Sequence, residues 1–368
     1  MACVNTKPIQ TELAFSAKPS TDHLDWERFP KTRYLGSKRK LLNLLQDVFS
    51  RLEFDSALDP FSGTGAVAYL LKTMGKSVTA SDALESNVVV ARALVVNNET
   101  TLDSTVDSLV GGLPDPEALV GFIERTFDEV FFERDENRFI DGILPRIREL
   151  SAAKSDLALY TLFQACLAKR PYNLFHRANL SMRRKKVSRS FGNKTTWERP
   201  FPELIKRFAA EADGAVFDSG RTCHAIRADV LEIDPAGHDL VYFDPPYVSA
   251  KGARVDYLDY YHFLEGLCSP ENWEGRILHR YKHKPLEGKG ESPWSDPKRI
   301  EEAFESAVNR FSRSTIVISY RSDGIPSIDD IAGYLEKAGK RVEIINAGKY
   351  TYALSRNRRS REVVLVGR

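Results

Sequence analysis

The segment SALDPFSGTGAVAYLLKTMGKSVTASD, residues 56–82, decides the fold class of this chain. It begins with a short strand pattern that ends on Asp59, and it continues through a turn that contains Gly63 and Gly65. A helical pattern follows, and then a second strand pattern that ends on Asp82. Strand, glycine turn, helix and strand in this order form the first unit of doubly wound α/β nucleotide-binding folds. We therefore predict an α/β protein of this class.

The remaining patterns divide the chain around that unit. Residues 1–30 show no periodicity and are predicted to be a flexible N-terminal leader, and residues 31–100 belong with the first unit. Helical patterns dominate residues 101–219, which we interpret as an insertion. Strand patterns return after residue 220, so residues 220–368 should complete the sheet, interrupted by a second, polar insertion over 269–297. These patterns are DLVYFD (239–244), STIVISY (314–320), RVEIINA (341–347) and REVVLVG (361–367).

Composition argues against several classes of protein. Lys and Arg number 53 against 51 Asp and Glu, so the net charge of +2 does not indicate a polyanionic partner and local clusters must do so. There are four cysteines, Cys3, Cys166, Cys223 and Cys268. Because they are far apart in the sequence, they argue against a zinc site and against a disulfide framework. There is no apolar signal core and no run of about 18 apolar residues. We predict a cytoplasmic protein without a membrane span or a metal site.

The glycine turn and Asp82 indicate a nucleotide-containing cofactor. Gly63 and Gly65 would let the backbone approach a ligand, and the helix that follows offers free N–H groups. The spacing F-x-G-x-G differs from the dinucleotide pattern G-x-G-x-x-G, which argues against NAD. A carboxylate at the end of the next strand, such as Asp82, can accept the hydroxyls of a ribose. The alternatives are a purely structural turn and a helix N-cap at Asp82.

The segment LVYFDPPYVS, residues 240–249, indicates the chemistry. Asp244 ends a strand pattern and should therefore lie at the carboxyl edge of the sheet, beside the cofactor crevice. Pro245 and Pro246 lack N–H donors but keep their carbonyl acceptors. The Asp244 carboxylate and the Pro245 carbonyl can accept the two hydrogens of an exocyclic amine, which favours a more nucleophilic nitrogen, while Tyr247 stacks on the extruded base. A proline-stiffened loop with a chance acid is the alternative.

Seven motifs occur in a fixed order along the chain. They are YLGSKRKLL (34–42), DPFSGTGAVA (59–68), SD (81–82), AD (228–229), DPPY (244–247), SYRSDG (319–324) and YTYALS (350–355). The series resembles the Dam-type, alpha-order, adenine-N6-specific DNA methyltransferases, which use S-adenosyl-L-methionine. The resemblance covers roughly residues 31–100 and 220–368. It implies a Rossmann-like S-adenosylmethionine-dependent methyltransferase sheet with an inserted, mainly helical DNA-recognition domain.

The resemblance also implies roles for individual residues. Lys38 would lie near the methionine carboxylate of the cofactor, Asp82 would hold its ribose, and Asp229 with Val230 would meet its adenine. Val230 replaces a phenylalanine that is frequent in the family and would pack less well. From the residues alone, Lys38 can also be read as part of a solvated charge run and Asp229 as a turn residue. The implied cofactor residues are Tyr34, Lys38, Asp59, Pro60, Phe61, Gly63, Gly65, Asp82, Asp229, Val230 and Asp244, and the implied catalytic residues are Asp244, Pro245, Pro246 and Tyr247.

A basic arm over residues 182–199, MRRKKVSRSFGNKTTWER, closes the helical block. Basic residues beside aromatic ones suit phosphate contact combined with stacking or wedging, and an asparagine can pair with a base edge. The alternative is a solvated basic loop. A second basic stretch, SRNRRSR (355–361), is expected to be an exposed hairpin turn. The candidate DNA-binding residues of the arm are Arg183, Arg184, Lys185, Lys186, Arg189, Asn193, Lys194 and Trp197.

The resulting prediction is a site-specific DNA methyltransferase that flips an adenine out of double-stranded DNA and methylates its N6 amine. We expect a monomer, acting either alone or as the modification partner of a cognate restriction endonuclease. The nearest alternatives keep the fold and change the substrate to an RNA adenine, a cytosine N4 amine in DNA or a protein glutamine amide. The acid in DPPY favours adenine over the last two. A non-catalytic DNA-binding module is the alternative from another class.

Overall fold

The computed structural model describes residues 9–11, 25–31, 33–111, 120–185, 194–249, 255–349 and 360–368. Two sheets are present in these residues. Their strands are β1 (Ile9–Thr11), β2 (Ser56–Asp59), β3 (Ser77–Asp82), β4 (His224–Arg227), β5 (Leu240–Phe243), β6 (Val248–Ser249), β7 (Thr315–Arg321), β8 (Gly324–Ile325), β9 (Val342–Lys349) and β10 (Arg361–Gly367). The predicted unit over residues 56–82 is confirmed, with both strands at the predicted positions.

Helices surround the larger sheet and fill its long connections. The α-helices of the described residues are α1 (Leu42–Phe49), α2 (Ala66–Thr73), α3 (Glu85–Ala91), α4 (Thr105–Val110), α5 (Phe122–Phe127), α6 (Arg134–Arg148), α7 (Ala152–Ala168), α8 (Leu180–Arg184), α9 (Lys194–Glu198), α10 (Phe201–Asp213), α11 (Tyr257–Cys268), α12 (Pro270–Trp273), α13 (Ile300–Arg310) and α14 (Ile328–Lys337). Short 3₁₀ segments occur at Trp26–Arg28, Lys38–Leu41, Pro171–Asn173, Glu274–Arg276 and Pro293–Ser295, and a π-helical turn at Arg92–Val96. No helix among the residues described combines the length and the apolar character that a membrane crossing requires.

The larger sheet has eight strands in the order β1-β9-β10-β7-β5-β2-β3-β4 among the described residues. Strands β7, β5, β2, β3 and β4 are mutually parallel, whereas β10 runs antiparallel to both of its neighbours. After β2, the chain adds β3 and β4 on one side of β2, and it then adds β5 and β7 on the other side of β2. The order of the strands therefore reverses between β2 and β5, and ligands of open α/β sheets bind outside the carboxyl ends of the strands at such a point.

Apolar side chains cover both faces of the central strands. All four residues of β5 are buried, as expected of a parallel strand with helices on both sides. Successive residues of β2 and β5 belong to different clusters: Ala57 and Tyr242 pack into one, and Leu58 and Val241 into the other. Two hydrophobic layers therefore hold the sheet, which keeps the carboxyl ends of its strands in a defined position.

Helices α4–α10, which correspond to the predicted insertion, lie in the connection between the adjacent strands β3 and β4. Helix α7 is the centre of this block. It is buried on all sides from Leu157 to Ala168 and packs against α3 and α10, as expected of a helix that is apolar all round. The block is thus attached to the sheet through α3 beside the cofactor edge. The division of the chain into domains stays a prediction.

Two parts of the sheet were not anticipated. Strand β4, with the sequence HAIR, is an exposed edge strand with few apolar residues, so it lacks the alternation that predicts strands. Strand β1 lies within the segment predicted to be a flexible leader, and its backbone pairs in parallel with β9. Phe29, near the end of the same segment, is buried in the core. The prediction of a flexible leader is therefore wrong at residues 9–11 and around Phe29.

Candidate active site

A cavity of about 260 Å³ opens at the carboxyl ends of β2, β3 and β5, at the point where the strand order reverses. All of the predicted cofactor and catalytic residues except Gly65 line this cavity, and Gly65 belongs to the turn that lines it. The structure therefore brings residues from distant motifs together in one place. The predicted residues that line the cavity are Tyr34, Lys38, Asp59, Pro60, Phe61, Gly63, Asp82, Asp229, Val230, Asp244, Pro245, Pro246 and Tyr247.

The glycine turn after β2 adopts backbone angles that favour glycine. Gly63 has φ +50° and Gly65 has φ +73°, both in the left-handed region where a side chain is strained. Helix α2 begins directly after the turn, and Ala66 in its first turn faces the cavity. The two glycines therefore form a tight turn beside the cavity, and the N-terminus of α2 follows directly. Their contact with a cofactor stays a prediction.

Asp82, at the end of β3, is held in place by two backbone amides. Its Oδ2 accepts a hydrogen bond from Gly63 N at 3.0 Å, and its Oδ1 accepts one from Leu84 N at 2.9 Å. The first amides of α3, at Glu85 and Ser86, donate instead to the buried carboxylate of Glu265. Asp82 is therefore not the N-cap of α3, and its carboxylate stays at the cavity. Burial raises the pKa of Asp82 to about 6, against the effect of the two amides.

Asp244 follows β5 and lies in an ion pair with Lys38. The distance from Lys38 Nζ to Asp244 Oδ1 is 2.5 Å, and a second carboxylate, that of Glu362, has its Oε1 at 3.7 Å from the same nitrogen. The side chains of Lys38, Asp244 and Glu362 are 5%, 15% and 0% exposed. Burial raises the pKa of Asp244 to about 6, with Lys38 opposing the shift and Glu362 adding to it. One lysine thus lies between two carboxylates.

Tyr247 is oriented by contacts to its hydroxyl and to its ring. Its hydroxyl lies 2.6 Å from Glu362 Oε1 and 3.1 Å from Asp244 Oδ1. Since a hydroxyl has a single hydrogen to donate, the shorter contact identifies Glu362 as its main acceptor. Lys38 Nζ lies 4.7 Å from the ring centroid, and the ring of Tyr320 packs edge-on at 5.2 Å. The tyrosine ring therefore has a defined orientation at the cavity.

Sequence reasoning missed Glu362. It lies near the start of β10, between Arg361 and a run of apolar residues, and it is fully buried. An acid directly before an apolar strand pattern was the available signal, because acidic side chains are almost never fully buried unless they are paired. The pairing itself, with Lys38 and Tyr247, depends on the tertiary structure.

Aromatic side chains that the sequence did not assign form part of the wall. The ring of Tyr34 stacks on Tyr261 at 4.2 Å and on Tyr257 at 5.7 Å, both from α11. Trp294 lies in the polar insertion 269–297 and packs edge-on against Phe61 at 4.8 Å. The insertion therefore reaches the cofactor edge, where its tryptophan lines the cavity.

The cavity has an acidic lining. Five of its lining residues are acidic and three are basic: Asp59, Asp82, Asp229, Asp244 and Asp256 against Lys38, Arg227 and Arg276. Burial, together with the charges of Asp244 and Asp82, raises the pKa of Asp59 well above its usual value. Such a lining favours a ligand that carries positive charge. Among the described residues, no group of three His, Cys, Asp or Glu side chains is placed to hold a metal ion.

In the described part of the basic arm, two of the predicted DNA-binding side chains pack inside the helical block. Arg183, 7% exposed, makes two hydrogen bonds of 2.7 Å to Glu136, which also pairs with Lys169 at 2.6 Å. Trp197 is buried at 6% exposure. The assignment of Arg183 and Trp197 to DNA contact is therefore corrected, because both side chains lie inside the block.

The other residues of the arm remain at the surface or outside the described part of the chain. Arg184 pairs with two acids, Glu129 and Glu133. Lys185 and Lys194 are exposed, and their role in DNA contact stays a prediction. Lys186, Arg189 and Asn193 lie outside the described residues, as do the motif YTYALS and residues 355–359 of the second basic stretch.

Comparisons with known proteins identify the family of this chain. The sequence model of the D12 class N6 adenine-specific DNA methyltransferases matches residues 34–266, more than half of the chain. The Type II methyltransferase M2.HphI of Haemophilus parahaemolyticus is 26% identical over 86% of this chain and 91% of its own length. The Type II methyltransferase M.NlaIII of Neisseria lactamica is 23% identical over 83% of the chain and 88% of its length.

A further relative, the modification methylase LlaI of Lactococcus lactis subsp. lactis, is 24% identical over 81% of the chain, which spans 47% of that protein. The family match begins at Tyr34, and it includes the glycine turn, Asp82 and the DPPY segment. It confirms the resemblance that the motifs indicate. This chain therefore belongs to the D12 class N6 adenine-specific DNA methyltransferase family.

Proposed function

We propose that this chain transfers a methyl group from S-adenosyl-L-methionine to the N6 amine of a flipped-out adenine in double-stranded DNA. The observation that carries the proposal is the position of Asp244. Its carboxylate lines the cavity at the switch point of the sheet, beside Pro245 and Tyr247. An acceptor set of this kind fits a planar base that carries an exocyclic amine.

The cofactor fits the donor set of the cavity. The acidic lining favours a ligand with positive charge, and S-adenosyl-L-methionine, when bound, supplies a methyl group on a positively charged sulfur. Asp82 would accept the ribose hydroxyls, and Asp229 with Val230 would contact the cofactor adenine. The residues proposed to surround the rest of the cofactor are Tyr34, Lys38, Asp59, Pro60, Phe61 and Gly63.

Asp244 and Pro245 would hold the target amine. Asp244 Oδ and the Pro245 carbonyl accept its two hydrogens, which draws the nitrogen lone pair out of the ring plane and stabilises positive charge as the new bond forms. As the nitrogen gains the methyl carbon, the bond between that carbon and the sulfonium sulfur would break with its electron pair on sulfur, and the nitrogen would lose one proton, which Asp244 Oδ would accept and pass to water. Tyr247 would stack on the flipped base, since its ring lines the cavity beside Asp244.

Glu362 would act as a positioning residue for this pair. The Tyr247 hydroxyl lies closer to Glu362 than to Asp244, so Glu362 shares with Asp244 in holding the ring. It also lies 3.7 Å from Lys38 Nζ. When the target amine binds to Asp244, the buried lysine would therefore keep a carboxylate partner, which avoids the cost of an unpaired buried charge.

We further propose that the protein acts as a monomer in the cytoplasm and is the modification partner of a restriction endonuclease. Support for the first point is that Lys38, Asp82, Asp244 and Glu362, which form the site, come from one chain. Support for the second is that the relatives are named as type II or modification methylases.

The decisive experiment is long-read sequencing that detects modified bases in DNA from cells expressing the chain. The control is Asp244→Ala, which should abolish transfer and leave DNA binding intact because the change lies within the cavity. N6-methyladenine at one recurring sequence is the expected result for the wild type. Unmodified DNA, or a modified cytosine, would overturn the proposal, as would normal methylation by Asp244→Ala.

A further inference from the structure

Residues 277–286, within the polar insertion, form a short hairpin. Ile277 and Leu286 form an antiparallel bridge, and Leu278 N donates a hydrogen bond to Pro285 O at 2.8 Å. The four residues at its tip, HRYK (279–282), are all exposed. They are His279, Arg280, Tyr281 and Lys282.

The hairpin is fixed to two separate parts of the molecule. His283 Nε2 and Lys289 Nζ each lie 2.9 Å from Asp259 Oδ1, on helix α11. Lys284 Nζ donates to the backbone carbonyl of Thr126, on α5 of the helical block. The tip is therefore carried by an anchored structure that bridges the sheet domain and the inserted helices.

Two cations lie beside the aromatic ring at the tip, one from the tip itself and one from the segment after the hairpin. The guanidinium carbon of Arg280 and the Nζ of Lys289 each lie 5.0 Å from the ring centroid of Tyr281. Within the described part of the chain, no carboxylate lies within 4.0 Å of the charged nitrogens of Arg280 or Lys282. By contrast, basic side chains that line the active-site cavity have a carboxylate partner: Lys38 pairs with Asp244, and Arg276 pairs with Glu287. Exposed cations without an acid beside an aromatic ring suit the phosphates of a nucleic acid.

The base of the hairpin belongs to the wall of the active-site cavity. Arg276 and Gly288, which flank the hairpin, line the cavity together with Tyr257 from α11 and Asp256, the N-cap of that helix. Tyr281 is connected to that wall through Lys289, which contacts both the tyrosine ring and Asp259. The tip is thus joined, through Lys289 and Asp259, to the helix whose first residue, Tyr257, lines the cavity.

We propose that the tip of the 277–286 hairpin binds the phosphate backbone of the DNA duplex next to the target adenine, with Arg280 and Lys282 as the phosphate-binding residues. The proposal rests on the DNA methylation proposed above and adds a contact surface to it. This surface reads no sequence, because phosphates are the same at every base pair. Its role is to hold the duplex at the cavity while the base is extruded.

The test is the salt dependence of binding to a mixed-sequence DNA duplex, followed by fluorescence anisotropy. For each phosphate contact that is lost, the slope of log affinity against log salt decreases by about 0.9. The double variant Arg280→Gln/Lys282→Gln should therefore reduce the slope by about 1.8, and weaken binding by up to about 60-fold at 0.1 M salt. A slope equal to that of the wild type would overturn the proposal.

Two further variants make the result specific. Arg313→Gln/Arg341→Gln removes two exposed arginines that precede β7 and β9, at the opposite edge of the sheet, and should leave the slope unchanged. Arg280→Lys/Lys282→Arg keeps both charges and should keep the slope. If this charge-preserving variant loses as much slope as the glutamine variant, the hairpin acts through its shape and the proposal fails.

Activity separates this proposal from the proposed function. A wild type that methylates DNA and a glutamine variant with an unchanged slope would overturn the hairpin contact alone. A wild type that binds duplex DNA without methylating it would contradict the function and leave the hairpin contact measurable. A glutamine variant that binds duplex DNA normally but loses single-stranded RNA would assign the surface to RNA and overturn the proposal.

Discussion

Replacing Glu362 by glutamine tests whether its buried carboxylate positions the catalytic residues. The amide keeps an acceptor for the Tyr247 hydroxyl, now 2.6 Å away, and removes the negative charge 3.7 Å from Lys38 Nζ. Hydrogen bonds to charged groups are worth about 1.5–3 kcal/mol and neutral ones about 0.5–1.5 kcal/mol. A loss of about 1–1.5 kcal/mol in the transition state corresponds to a kcat that is about 5- to 13-fold lower. We expect a decrease of that size at pH 8.

The pH profile distinguishes positioning from a structural effect. Asp244 must be ionised to accept the amine hydrogen, so activity should be lost as pH falls through its pKa of about 6. The charge of Glu362 is one cause of the raised pKa, so Glu362→Gln should move the acidic limb of the kcat profile to lower pH. Tyr247→Phe should move it to higher pH, because the hydroxyl bond lowers the pKa of Asp244.

The assay is single-turnover methyl transfer to a duplex that contains the recognition sequence, measured from about pH 5 to pH 9. Besides Lys38, Glu362 and Tyr247, the titratable neighbours of Asp244 are Asp59, Tyr242 and Tyr257. Each variant replaces one neighbour, Glu362 or Tyr247, and leaves all the others unchanged. The matched control is Glu343→Gln, on the neighbouring strand β9, where the acid pairs with Arg368 at 3.2 Å. An unchanged limb in Glu362→Gln, or limbs that move in the same direction in both variants, would refute the reasoning.

Two further predictions concern cofactor binding and the basic arm. Asp82→Asn should weaken S-adenosyl-L-methionine binding about tenfold by calorimetry, because a neutral acceptor replaces a charged one. Burial raises the pKa of Asp82 to about 6, so the wild type should bind S-adenosyl-L-methionine more weakly as the pH falls through that value. Equal affinity at pH 5 and pH 8 would contradict the assignment of Asp82 to cofactor binding. Arg183→Met should lower the free energy of unfolding by about 3 kcal/mol in urea titrations, because it leaves the carboxylate of Glu136 short of a buried partner. Its salt slope for DNA should stay that of the wild type, and a decrease of about 0.9 would return Arg183 to the DNA surface.

The successes and failures of the sequence predictions have separate physical causes. The unit from β2 to β3 was predicted residue by residue, because strand alternation, positive-φ glycines and helical spacing are local properties. The placement of Asp244 at the carboxyl edge followed from the same sheet topology. Arg183 was misassigned because charge in a sequence does not reveal a buried partner: its acid, Glu136, is 47 residues away in the chain. Strand β4 was missed because an exposed edge strand needs few apolar residues.

The sequence by itself determined the class of sheet and the edge of the sheet at which Asp82 and Asp244 lie, and it predicted an acceptor set for an amine. Each of these depends on neighbouring residues or on the order of the strands. Only the tertiary structure decided which charges meet. It placed Glu362 beside Tyr247, 115 residues earlier in the chain, and it brought the polar insertion to the cavity through Trp294 and the anchored hairpin. Such pairings depend on how sheet and helices pack in three dimensions, and a one-dimensional pattern of hydrophobicity and charge carries no record of them.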